Sequence, residues 1–207
     1  MCIRDRCIIS FGSLFLAGQI ANDLTDNFED WYPTIVIWFL ALALLLNYED
    51  DRVLLGLKNR GLPGNLAISI SVGLVVLFGA AGIFDPLNQR AVSLFVIGTL
   101  YNLSREIIKD VEDMGGDKGR NTYAMRVGAD KARLTSWVIL LITLVALLAP
   151  FAMGVFELLH IIFLAPGLFT LMNVKKHIYL AEDTAASRMI KTSMTLTMVG
   201  LILAAII

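Results

Sequence analysis

Long apolar runs separated by short charged stretches constrain this chain more than any other feature. Seven such runs occur, at residues 7–21, 33–47, 64–84, 91–104, 135–150, 155–172 and 189–207. A helix that crosses a bilayer needs about 20 residues, with a usual range of about 17–25. The shorter runs must therefore extend into their polar flanks. Hydrophobic residues make up 57% of the chain and mean hydropathy is +0.73, above the roughly 45–50% apolar content of soluble domains. A soluble core is excluded by this pattern. The expected fold is all-α, a polytopic transmembrane bundle in which residues 1–207 form a single domain.

Charge placement sets the orientation, because cytoplasmic loops carry an excess of Lys and Arg. Arg4 and Arg6 precede the first run, and Arg52, Lys58 and Arg60 lie in loop 48–63. Loop 105–134 holds Arg105, Lys109, Lys118, Arg120, Arg126, Lys131 and Arg133, and loop 173–188 holds Lys175, Lys176 and Arg188. The alternating loops are nearly bare, with Arg90 their one basic residue. Seven spans with an inside N-terminus fit this alternation, and place loop 105–134 on the cytoplasmic side of a plasma-membrane protein. A net charge of −1 gives no reason to expect a nucleic-acid partner. Cys2 and Cys7, the only cysteines, suggest neither a zinc site nor a disulfide framework. The first run also has the basic start and small-residue end of a signal peptide; its cleavage would leave the later topology unchanged.

Loop 105–134 carries the chemistry. Asp110, Asp113 and Asp117 are spaced i, i+3 and i+7, which puts them on one helix face. Like charges so placed repel, and a cation offsets that repulsion. Carboxylates in this pattern suit Mg²⁺, a hard ion with oxygen ligands usually completed by water and substrate phosphates. Arg105 and Lys109 lie on the membrane side of Asp110, positioned to meet phosphate oxygens as a fork and a point charge. Gly115 and Gly116 are expected to end the helix. A solvated loop with incidental ion pairs is the bland alternative, and a generic metal or phosphate site is the other.

These residues resemble a known family. The stretch Arg105-Glu106-Ile107-Ile108-Lys109-Asp110-Val111-Glu112-Asp113, with Gly116-Asp117-Lys118 and Arg126-Val127-Gly128, is similar to the second aspartate motif of the UbiA-type intramembrane prenyltransferases. Leu57-Lys58-Asn59-Arg60-Gly61-Leu62-Pro63-Gly64-Asn65 resembles the Lys…Gly-Asn stretch that opens the family's fifth span. Within the family the chain most resembles the geranylgeranylglyceryl phosphate geranylgeranyltransferases of ether-lipid synthesis. The resemblance implies nine helices around a lipid-facing cavity, where two aspartate motifs hold a prenyl diphosphate through Mg²⁺. It implies that Asp110, Asp113 and Asp117 are metal ligands, and that Arg105, Lys109, Lys58 and Asn102 contact diphosphate. The implied partners are a prenyl diphosphate, a lipid or aromatic acceptor, and membrane lipids.

The family's first motif, Asn-Asp-x-x-Asp-x-x-x-Asp, is matched letter for letter by Asn22-Asp23-Leu24-Thr25-Asp26-Asn27-Phe28-Glu29-Asp30. Topology argues against the match. Three runs separate this segment from Arg105, which puts the two on opposite sides of the membrane, whereas the family has four spans between its motifs. The segment lacks Lys and Arg, and Trp31 and Tyr32 behind it read as interfacial anchors. The chain is thus expected to be an N-terminally shortened member, lacking two helices and the true first motif, and inactive alone. Met1-Cys2-Ile3-Arg4-Asp5-Arg6 resembles a spurious start.

Tyr48 lies too far before Lys58 to match the family's tyrosine and reads as an interfacial residue. Glu157 and His160 sit near the outer end of the sixth run, where long side chains reach the interface. Lys175 and Lys176 suit anionic headgroups. A transporter gated by the acidic loop is the rival of another class; it would show mid-span charges and internal repeats, and neither stands out here.

Overall fold

The computed structural model describes residues 3–25, 28–49, 56–116 and 121–207. These fold into eight α-helices and three short 3-10 segments, with no strand among them. The helices are α1 (Ile3–Thr25), α2 (Tyr32–Glu49), α3 (Leu62–Gly82), α4 (Gln89–Asp113), α5 (Tyr123–Val127), α6 (Ala129–Ala152), α7 (Ala165–Tyr179) and α8 (Asp183–Ile206). The seven apolar runs fall largely on helical segments, but seven spans are not reached: the first run lies in α1, which is not among the described helices long and apolar enough to cross. Six helical stretches among the described residues are long and apolar enough to cross a membrane, from Glu29–Tyr48 to Asp183–Ile206. The protein is an integral membrane protein built as a helical bundle.

Local chemistry explains where the elements begin and end. Pro63 sits in the first turn of α3, where its missing N–H leaves no bond unmade. The side chain of Asn88 accepts from the Arg90 backbone N–H at 2.9 Å and caps α4. That helix runs on for 25 residues, about 37 Å at 1.5 Å per residue. It therefore outreaches a hydrocarbon core of about 30 Å, and its final turns carry Asp110 and Asp113 into the polar zone before Met114, Gly115 and Gly116 turn. The helix ends at the glycines, as expected from them.

One run departs from expectation. Residues 155–172 read as a continuous span, but the chain forms a 3-10 segment (Leu158–Leu164) before α7 begins. Pro166 in the first turn of α7 cannot donate to a preceding turn. The backbone here also lies against α8: a Cβ on Gly200 would fall 2.4 Å from the Phe163 carbonyl oxygen.

Lipid tails are as apolar as leucine, so helices in a bilayer associate through close packing and polar links rather than hydrophobic burial. Both devices centre on α4. A Cβ on Gly73 of α3 would meet the Thr99 hydroxyl at 2.2 Å. Ser104 and Ser136 join α4 to α6, each hydroxyl bonding the other's carbonyl, at 3.1 and 3.0 Å. The Tyr101 hydroxyl meets Ser193 and Thr197 of α8 at 3.0 and 3.1 Å. Ser193 in turn donates to the Gly167 carbonyl of α7 at 2.8 Å. Ile97, Tyr101, Ile108, Leu140, Leu171 and Ile190 are fully buried around these links. Outward faces stay apolar, as at Val75, Val145 and Phe169.

The bundle has two distinct ends. At one, the starts of α3, α6 and α8 meet the end of α4. Arg133 of α6 grips Asp183 of α8 with two bonds of 2.8 and 2.6 Å, and Thr184 donates to Glu112 of α4 at 2.8 Å. At the other, Arg90 donates to the Ala205 carbonyl at 3.3 Å and His160 lies 3.3 Å from the Ala204 carbonyl. These cations and donors meet the carbonyls that the end of α8 leaves unbonded. His160 thus has a structural place, with Glu157 3.7 Å away.

The glycine approaches can be tested by adding one methyl group. Gly200→Ala or Gly167→Ala is expected to destabilise the protein by about 1–3 kcal/mol, the range for overpacking. Gly79→Ala, where a Cβ meets nothing within 4 Å, is expected to leave thermal unfolding in detergent unchanged or slightly raised.

Candidate functional site

The end of α4 presents its charged residues along a graded depth. Asn102 is buried, Arg105, Lys109 and Asp110 are half-buried, and Asp113 is exposed. Asp117 lies outside the described residues. Arg105 donates from Nη1 to Glu106 at 2.8 Å, while its Nε is buried without a hydrogen-bond partner. A buried donor left unmade costs about 1–3 kcal/mol, more for a charged group. The guanidinium is thus only partly satisfied.

Asp110 is met from the neighbouring helix. Asn65, buried at the start of α3, donates its side-chain amide to Asp110 Oδ2 at 2.8 Å. A bond to an ionised group contributes about 1.5–3 kcal/mol. Behind it, the Ser69 hydroxyl donates to the Asn65 carbonyl at 2.6 Å, and the Asn102 amide reaches Ser69 at 3.4 Å. Asn102, expected at the diphosphate, lies buried in this α3–α4 contact. A buried polar chain of this kind spans Asn102, Ser69, Asn65 and Asp110.

Lys58 stands half-buried on the 3-10 turn Leu57–Asn59, directly before α3. That turn folds onto the first turn of α3 so closely that a Cβ on Gly64 would meet the Leu57 carbonyl oxygen at 2.2 Å. Arg126, in α5 beyond the aspartate segment, donates to the Asn59 carbonyl at 3.0 Å and to Asn121 at 2.9 Å. Gly61, at φ 69°, lets the backbone pass beneath the Arg126 side chain, where a Cβ would lie 3.3 Å from Cδ. The Lys58 turn and the aspartate helix are therefore tied at one end of the bundle by Asn65 and Arg126.

Residues 8–199 match the UbiA prenyltransferase family. The chain belongs to that family. The digeranylgeranylglyceryl phosphate synthase of Haloquadratum walsbyi is 29% identical over 170 residues, covering 80% of this chain and 55% of that protein. That of Methanosarcina mazei is 33% identical over 150 residues, 70% of this chain and 52% of the relative. That of Methanothrix thermoacetophila is 31% identical over 196 residues, 92% and 66% respectively. A solved structure of digeranylgeranylglyceryl phosphate synthase superposes with a TM-score of 0.69 at 22% identity, covering 84% of this chain and 61% of that one; at that identity it shows the fold. The chain spans about half to two thirds of the length of these relatives.

Among the described residues of this UbiA-family bundle, Asp110 and Asp113 lie with their partners at the α3–α4 end. The look-alike at residues 22–30 lies elsewhere. Trp31, which closes the 3-10 segment Phe28–Trp31, and Ile35 in the first turn of α2 pack with Leu14, Ala21 and Phe78, and Phe78 belongs to the far end of α3. Thirteen residues of helix separate Asn65 from Phe78, about 20 Å. Asp23, Glu29 and Asp30 thus share the end opposite Asp110, in agreement with the parity of the runs; Asp26 lies outside the described residues. Trp31, expected as an interfacial anchor, is instead buried against Gly18, whose Cβ would lie 2.9 Å from the ring. Tyr32 is the exposed one of the pair.

Sequence reasoning missed three participants: Asn65, Glu106 and Arg126. Asn65 was visible only as part of a Gly-Asn pair, and Glu106 and Arg126 only as letters of the aspartate motif and its tail, with no role attached. The Arg126 tie has a direct readout. Arg126→Ala is expected to speed hydrogen–deuterium exchange at Asn59 and Arg60, whose backbone N–H groups close the turn onto Gly56 and Leu57, with no change around Arg90 and His160.

Proposed function

We propose that the α3–α4 end is the diphosphate-handling half of a prenyl-transfer site, at the cytoplasmic face of the plasma membrane. The donor is a prenyl diphosphate, of geranylgeranyl length, and the acceptor is geranylgeranylglyceryl phosphate in ether-lipid synthesis. Family membership supports the reaction class, and the names of the curated relatives support the acceptor. The observation that carries the reading is the pairing on one helix end of Asp110 and Asp113 with the buried, unpartnered Nε of Arg105. Carboxylates and an unsatisfied guanidinium at the mouth of an apolar bundle suit a metal-bound diphosphate whose tail lies in lipid.

The residues fit Mg²⁺. Its hardness matches an all-oxygen donor set, which the carboxylates of Asp110 and Asp113 supply. Asp110, Asp113 and Asp117 would hold the ion. When bound, Mg²⁺ supplies Lewis-acid stabilisation of charge on the leaving diphosphate. Arg105 and Lys109 bind non-bridging oxygens, the first as a bidentate fork, and Lys58 approaches from the neighbouring turn. The C–O bond at the allylic carbon breaks, its electron pair leaving with diphosphate. The acceptor hydroxyl oxygen forms the new ether bond and releases its proton. Apolar helix faces keep water from the allylic carbon.

Binding tests this reading directly. Purified protein is expected to retain radiolabelled geranylgeranyl diphosphate in the presence of Mg²⁺ and to lose it with EDTA. Arg105→Ala and Asp110→Asn are each expected to weaken binding roughly tenfold or more, the equivalent of a charged hydrogen bond. Equal retention without Mg²⁺ would overturn the metal reading. Residues 1–207 alone are expected to bind without turnover, because one aspartate-rich segment rather than two facing ones is found at this end among the described residues. Transfer by these residues would refute that expectation. Offering 4-hydroxybenzoate beside geranylgeranylglyceryl phosphate to a catalytically competent relative of full length distinguishes the two acceptor classes.

A further inference from the structure

The residue that nothing above assigns to the chemistry is Asn65. It sits 45 positions before Asp110 in sequence and touches it at 2.8 Å. Its surroundings leave it little freedom. The side chain is 6% exposed, its backbone N–H donates to Gly61 at 3.2 Å, and its carbonyl accepts from Ser69 at 2.6 Å. The preceding residue, Gly64, is pressed against the Leu57 carbonyl, which fixes the height of this turn relative to Lys58. An amide held this way can meet Asp110 Oδ2 in one geometry only, and its N–H groups only donate. It therefore holds Oδ2 of Asp110 as an acceptor at a fixed place beside α3.

We infer that Asn65 is a positioning residue for the metal and diphosphate site: its amide anchors one oxygen of Asp110, orients the carboxylate toward the ion, and couples that ligand to the Lys58 turn. The inference rests on the reading of Asp110 as a metal ligand. Its physical basis is general. Hydrogen bonds to the groups that ligate a metal fix their orientation, and losing one weakens metal binding by about 10- to 100-fold. Asn102 extends the same function one step further from the ion, since its amide reaches the Ser69 hydroxyl that holds Asn65.

Inorganic pyrophosphate and Mn²⁺ are the probes, with the whole chain in detergent micelles and bound Mn²⁺ read by electron paramagnetic resonance. Asn65→Leu keeps the side-chain volume close while deleting the donor, and Asn65→Ala deletes both. For both variants the Mn²⁺ midpoint for pyrophosphate binding is expected to rise about tenfold, with full binding recovered at saturating metal. Loss of thermal stability at an unchanged midpoint would assign Asn65 a purely architectural role and overturn the inference. The exchanged pair Asn65→Asp with Asp110→Asn restores an amide–carboxylate bond on the opposite helices. It is expected to recover thermal stability but not metal affinity, and recovery of both would also overturn the inference. If neither the unaltered protein nor any variant binds pyrophosphate with metal, the reading of the site itself fails. A metal-dependent unaltered protein beside an unmoved Asn65 variant defeats the positioning role alone.

Discussion

A polar group inside hydrocarbon must find its partner within the protein, and in this bundle most such partners are on α4. Its Tyr101, Ser104 and Thr99 face α8, α6 and α3 in turn, and the links are short: 2.7 Å between the Ser104 and Ser136 hydroxyls, 3.0 Å from Tyr101 to Ser193. Because lipid supplies no hydrophobic drive for association, these bonds and the close backbone approaches at Gly73, Gly167 and Gly200 decide which helix faces meet. The arrangement is demanding, since the Tyr101 and Ser104 hydroxyls meet their partners at one relative rotation of the helices. It also explains why small and hydroxylated residues, rather than large aliphatic ones, mark the α4 interfaces.

The same helix carries Asp110 and Asp113. Its length exceeds the apolar core, so its last turns leave lipid while still rigidly continuous with the buried links below. Asp110 and Asp113 are thereby held on a helix rather than a loop, and a site on a rigid element keeps its geometry. The neighbouring elements close around this end without adding apolar cover. Arg133 with Asp183 and Thr184 with Glu112 tie the starts of α6 and α8 to it, and Arg126 holds the Lys58 turn. The opposite end is built from different materials: aromatic packing around Trp31 and Trp38, and donors that finish the α8 carbonyls. The acidic segment at residues 22–30 belongs to that second end, however closely its letters match.

How far the sequence could be read follows from the range of each signal. Hydropathy and charge alternation act along the chain, so the helical runs, the basic end and the helix stop at Gly115 and Gly116 were legible in advance. Parity of the runs was enough to separate residues 22–30 from Asp110. Relations set across the chain were not legible. Trp31 looked like an anchor because aromatic residues at a span end often are, and its burial depends on Gly18 arriving opposite it. The break before α7 depends on the approach of Gly200 to Phe163, which a hydropathy run does not register.

What the sequence by itself determined is the class of solvent, the rough limits of the apolar helices and the charged end. The tertiary structure alone decided which polar residues at that end are held, and by what. Asn102 turns inward to Ser69, Arg105 keeps an unsatisfied donor, and Asn65 meets Asp110 from another helix. The reason is that composition and periodicity specify how a helix sits in lipid, whereas a hydrogen bond between residues 45 apart depends on the depth and rotation at which two helices pack.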